Sequence, residues 1–443
     1  MRNLLRVGIV ASVAVGTIFV GSGRAPGVDQ IDREPINYSS GPVNDPVAQL
    51  QRRIDAGQAT LTYDKRLGFL PSVLKQLGIA ASSQTLVFSK TSFQQRRISP
   101  QRPRALYFND HAYVGWVQGG DKLEISAVDS QKGAVFYTIS QREPQQARFA
   151  RHTHECLQCH TSSLTQGVPG HLVRSVYPDA KGYPILGAGT FRTDHSSPLT
   201  ERWGGWYVTG RHGGQRHMGN VYLEDEDNPE SLPKDVGANV IDLDDFCDTS
   251  NYLAPHSDIV ALLVLEHQTQ MHNRITVANY ETRRAQFHSR VMNRILERPT
   301  DELSESALRR IRSASEQLVR YLLFVDEAAL TDPVSGTSGF AEEFVAQGPF
   351  DDQGRSLRAL DLRNRLFRFP CSYLIYSEAF GALPTVAKQH IYRRLHEILN
   401  GDDDSQDFAH LSSDDRLAIL EILTQTKPEL VTIWKDLGLR AAR

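Results

Sequence analysis

Cys156-Leu157-Gln158-Cys159-His160 confines two thiols and an imidazole to little more than one helical turn. Residues three apart on such a turn lie on one side. Both sulfurs therefore reach one edge of a flat ring, with the imidazole of His160 under its centre. This is the requirement of a c-type haem: two thiols add across two vinyl groups, and the adjacent His ligates the iron. The bond fixes the cofactor whatever the surrounding fold does. The chain has only four cysteines among 443 residues, so chance is a poor explanation of the run.

Two other uses of the cysteines fit less well. A redox dithiol of the thioredoxin kind needs a strand before it and a helix after it. Residues 145–155 are polar and carry no strand signal. A four-ligand zinc site would draw on Cys156 and Cys159 with His152, His154 or His160. No second Cys-x-x-Cys completes it. Cys247 and Cys371 stand alone, either as a disulfide of an oxidising compartment or as two buried thiols.

The N-terminus bears on the compartment. Arg2 and Arg6 precede an apolar run from Val7 to Val20, and Gly21, Ser22 and Gly23 follow. A charged start, a short apolar stretch and small residues read as a secretory signal over 1–23. The mature chain then begins near Arg24 and is periplasmic or otherwise exported. The alternative is an uncleaved anchor, although the run falls short of the ~20 residues that span a bilayer. No cysteine follows it, which argues against a lipoprotein. The formal net charge of −3 leaves no footprint for nucleic acid. No second long apolar run exists, so membrane contact is expected only through that anchor.

The rest of the chain predicts an α+β fold, with a β-rich half followed by a helical half. Residues 24–48, polar and rich in Pro, Gly and Asp, read as a linker. Residues 49–250 form the β-rich domain that holds the motif, and 251–443 a helical domain packed on it. After two short helical patterns, strands are expected at 85–89, 105–108, 112–117, 123–128 and 134–139, a meander signal. Others follow the motif at 172–177, 184–191 and 206–209. Helical spacing marks Asp258 to about Arg294 and Glu305 to Glu327. Ser412 and Asp415 form a capping box, and Pro428 ends that helix.

The second axial ligand has several candidates. Haem c commonly takes Met or His there. Met218 lies in a segment, 204–219, rich in glycine that lets backbone approach a ligand closely. Trp203 and Trp206 flank it. In an extended strand His217 and Met218 point to opposite faces, so only one reaches iron; Met218 is the expected ligand. Arg211 and Arg216 suit the haem propionates, because Arg binds carboxylate bidentately, and Trp206 suits the porphyrin face. His267 and Met271 are rivals on the apolar stripe of the long helix. Glu266, His267 and His272 hint at a second metal site, without the spacing of a known motif.

The motif resembles that of c-type cytochromes, over Cys156 to His160 alone. The stretch from Trp203 to Asn220 is similar to that of bacterial proteins carrying one haem c motif. The resemblance implies thioether roles for Cys156 and Cys159, axial ligation by His160, and attachment outside the cytoplasm. It departs from small cytochromes in length, in the flanking strands and in lacking a clear methionine loop. The reading is an exported mono-haem cytochrome passing electrons to a redox partner protein. A peroxidase-like oxidoreductase and a haem-based sensor are the alternatives.

Overall fold

The computed structural model describes residues 30–142 and 147–439, so the expected signal at 1–23 lies outside them. Two short helices come first, α1 (Pro46–Asp55) and α2 (Leu70–Leu77). The meander then forms as β1 (Thr85–Val87), β2 (Arg104–Phe108), β3 (Ala112–Trp116), β4 (Lys122–Asp129) and β5 (Gly133–Ser140). Asn109 turns β2 into β3 by accepting the N–H groups of His111 and Ala112 on its side-chain oxygen, the local bond that favours Asn in turns.

After β6 (Phe149–His152) comes the one-turn helix α3 (Leu157–His160). A small hairpin of β7 (Arg174–Val176) and β8 (Thr190–Arg192) follows, then β9 (Trp206–Tyr207). The main sheet is antiparallel with order β6-β5-β4-β3-β2-β1-β9.

Every second residue of β4 is buried and those between are half-exposed. The two faces of the sheet therefore have different roles. One carries Leu86, Ala105, Tyr107, Val114, Ile125 and Tyr137 and packs under α1 and α2. Cross-strand register puts Arg104, Leu106, Tyr113, Gly115, Glu124, Ser126, Phe136 and Thr138 on the other. Its Tyr113 end is covered by the long helix α4 (Ile259–Ile295), and its Glu124 end is only half-covered.

Helix α4 is buried without a break from Ile259 to Asn273. Such a helix is enclosed by the protein on all sides: the sheet lies on one side and the later helices on the other. These are α5 (Glu305–Leu322), α6 (Phe340–Ala346), α7 (Glu378–Gly381), α8 (Thr385–Leu399), α9 (Ser413–Thr426) and α10 (Pro428–Asp436). The largest core cluster joins Val87, Tyr113 and Trp206 of the sheet to Val264, Leu322, Tyr392 and Trp434 of the helices. The expected α+β class, strands first and helices after, is what the chain forms. The capping box at Ser412 and Asp415 is present. Pro428 ends one helix and opens the next, as its fixed φ suits a first turn.

Three expectations are corrected. Residues 30–48 are not a loose linker, because Ile31, Ile36 and Tyr38 are fully or almost fully buried. Residues 184–191 are not one strand: Leu186–Ala188 form a 3-10 turn, and a strand starts only at Thr190. A strand, β6, does precede the motif. It sits at the sheet edge with only Phe149 buried, so its sequence carries no apolar alternation.

Candidate haem-binding site

The turn that holds the motif is short and tightly tied. The N–H of His160 bonds to the carbonyl of Cys156 at 3.0 Å, and that of Thr161 to Leu157 at 2.9 Å. Leu157 anchors the turn by full burial among Phe136, Val168 and Tyr280. Cys156 is half-buried and Cys159 exposed, and neither is in a disulfide.

His160 is held at two points by Gly170. The Gly170 N–H donates to the His160 carbonyl at 2.9 Å. The His160 Nδ1 lies 2.9 Å from the Gly170 carbonyl, which can only accept. Nδ1 therefore carries the proton, and Nε2 presents its lone pair. A bond from the remote ring nitrogen of this kind orients an imidazole and fixes its tautomer for metal ligation. Burial lowers the pKa of His160, which favours the neutral ring that a metal requires. Phe136 packs against the ring with centroids 4.7 Å apart.

Gly170 is positioned in turn by α4. A Cβ there would stand 2.3 Å from the Asn273 side-chain oxygen. Asn273 accepts the His171 N–H at 2.9 Å and donates to the His171 carbonyl at 2.8 Å. Replacing Asn273 with Ala should strand both of these buried groups and cost about 1–3 kcal/mol. Denaturant unfolding checks this, since the midpoint should fall with unchanged slope.

The Cys156 thiol does not have the electrostatics of a redox dithiol. Burial, then the carboxylates of Glu124 and Glu155, push the Cys156 pKa up to about 11. Reactive dithiols have a lowered value instead. Among the described residues, no three His, Cys, Asp or Glu side chains are grouped to hold a metal ion. The zinc arrangement that the spacing allowed is not formed. His152 bonds to Thr138 and Glu155, and His154 is exposed. Cys247 and Cys371 are free thiols buried in different core clusters.

No protein-family model, curated protein or solved structure matches the chain. The residues must speak for the site. Two cysteines without disulfides and an imidazole with Nε2 free and Nδ1 engaged fit a covalently attached haem.

Of the other expected ligand and haem-contact residues, all but Trp206 have their partners away from the motif. Met218 is fully buried in a satellite core with Tyr177, Val221 and Leu223, and its sulfur accepts the Ser175 hydroxyl at 3.6 Å. That core shares no residue with the one around Leu157. His217 packs on Trp203 and His212, and its Nδ1 accepts the Gly219 N–H. Arg216 pairs with Asp235 at 2.5 Å, and Arg211 bonds through its backbone to Ser335. None of these hydrogen bonds reaches residues 156–160. The 204–220 segment is tied by backbone bonds to Phe88, Val176, Val240, Ser257 and Ser335.

On α4, Met271 is core. Both ring nitrogens of His267 are engaged, Nδ1 with His195 at 2.8 Å and Nε2 with Ser372 at 2.7 Å. Glu266 pairs with Arg202 at 3.0 Å. His272 bonds to Tyr113 at 2.9 Å. Trp206 does lie on the sheet face of the motif, two strands from Arg104, with its indole N–H on the Arg174 carbonyl.

The sequence reading did not single out Gly170, Asn273, Phe136 or the Arg104–Glu124 pair. Gly170, ten residues after the motif, carried the one readable signal, as a glycine where backbone must come close.

Proposed function

We propose that the protein is an exported mono-haem c-type cytochrome that transfers electrons to a redox partner protein. The observation that carries this reading is the His160 Nδ1 bond to the Gly170 carbonyl beside two cysteines free of disulfides. It prepares the imidazole of a Cys-x-x-Cys-His turn as an iron ligand. The haem would supply one-electron chemistry. The protein's part is to fix it covalently at Cys156 and Cys159 and to orient His160. The half-covered sheet face sets the local dielectric, one of the levers on a haem potential.

A second reading, a haem c-dependent oxidoreductase of peroxidase type, gains from one observation. The sulfur of Met218 and both nitrogens of His267 have partners in the interior. Without such a side chain on the second axial side, the iron would accept a small exogenous ligand.

Protein matured in a host that attaches haem c should keep its haem through denaturing electrophoresis. Loss of all haem on denaturation would end the cytochrome reading. The ferrous spectrum under carbon monoxide separates the two readings. An unchanged spectrum favours electron transfer, and rapid conversion favours an open iron and turnover.

A further inference from the structure

Beside the motif lies a strip of sheet that the cytochrome reading leaves unused. Glu124 on β4 accepts the Arg104 guanidinium from β2 at 2.7 Å, across the intervening strand β3. The residue of β3 between them is Gly115. A Cβ at Gly115 would stand 2.2 Å from the Arg104 Nη2, so the guanidinium lies flat on the backbone there. The pair is neither buried nor free, with side chains 18% and 15% exposed. Arg104 Nε is buried and donates to nothing, which is costly for a charged donor.

The strip faces the motif. Phe136, which packs on His160, is the cross-strand partner of Ser126, two residues from Glu124 on the same face.

We infer that this strip is the floor on which the porphyrin of a haem attached at Cys156 and Cys159 rests, and that Arg104 is the cation meeting one of its carboxylates. The inference rests on the haem reading above and goes beyond it. It replaces Arg211 and Arg216, whose bonds run elsewhere, with an arginine beside the ligand. Glu124 and Gly115 are positioning residues: one holds the guanidinium, and the other leaves it room. A half-buried charge is screened less than a surface one, so each member of the pair should act on the iron with the sign of its charge.

The experiment is a redox titration of the full-length holoprotein and three variants. Arg104→Gln removes a positive charge near the iron and should favour the ferric state. A tenfold shift, about 59 mV for one electron, is the expected size. Glu124→Gln should move the potential the opposite way. Gly115→Ala keeps both charges but displaces the guanidinium, so a smaller shift in the Arg104→Gln direction is expected. Opposite signs from two charge deletions are not a symptom of misfolding. Covalent haem retained with all three potentials unmoved, or moved in one common direction, overturns the inference alone. A wild-type protein without covalent haem removes the underlying reading and this inference with it.

Discussion

If haem is attached as proposed, replacing both Cys156 and Cys159 with alanine should abolish its covalent retention, because thioether formation at those two sulfurs is the only attachment that the turn offers. Each single variant keeps one thioether and should retain haem in reduced yield. His160→Ala should behave differently. Both thiols remain, so haem stays attached, while the iron loses the imidazole that Gly170 orients and its absorption spectrum changes. Haem stain on denaturing gels reads the first effect, and the ferrous spectrum reads the second. Equal loss of stain in all three variants would mean that His160 is needed for attachment itself.

Arg202→Met should destabilise the fold by roughly 3–5 kcal/mol at neutral pH, the usual cost of leaving one member of a buried ion pair alone. Glu266 is fully buried on α4 and Arg202 is its cationic partner. Burial raises the Glu266 pKa from 4.5 to about 7, with Arg202 opposing the rise. A carboxyl whose folded pKa is raised contributes stability that is complete below about pH 4.5. That contribution is lost as pH climbs through 7. Removing Arg202 raises the folded pKa further, so the penalty in the variant should grow with pH and shrink toward pH 5, where the carboxyl binds a proton. Chemical denaturation at pH 5, 6, 7 and 8 tests this. A pH-independent penalty would assign the effect to lost packing instead.

How much of this was legible depended on whether the signal was local. The meander could be read because β2 to β5 alternate or concentrate β-branched and aromatic residues between turn residues. The long helix could be read because Val260, Val264, His267 and Met271 share a spacing. Edge strand β6 could not, since an edge that buries one residue has no reason to alternate. Ile31, Ile36 and Tyr38 lie among polar neighbours, and only tertiary contact reveals them as core. The motif itself is local chemistry and is legible in five residues. Its supports are not local. Gly170 meets Asn273 across 103 positions, and Arg104 meets Glu124 through register on a sheet. Met218 attracted attention for its glycine-rich surroundings, yet those glycines serve turns and close packing, as where Gly219 leaves no room for a Cβ beside Val208.

The clamp between Gly170 and Asn273 implies an order of events during biogenesis. In the proposed haem reading, thioether formation needs only the five residues from Cys156 to His160, and none of the C-terminal half that carries residue 273. The tautomer of His160 is set by a carbonyl that is held in place only once α4 has docked on the sheet. Attachment can thus precede folding, whereas a properly formed iron–imidazole bond should report that the C-terminal half has closed. Truncation before residue 258 would separate the two, giving a chain that carries its haem covalently without the native axial bond.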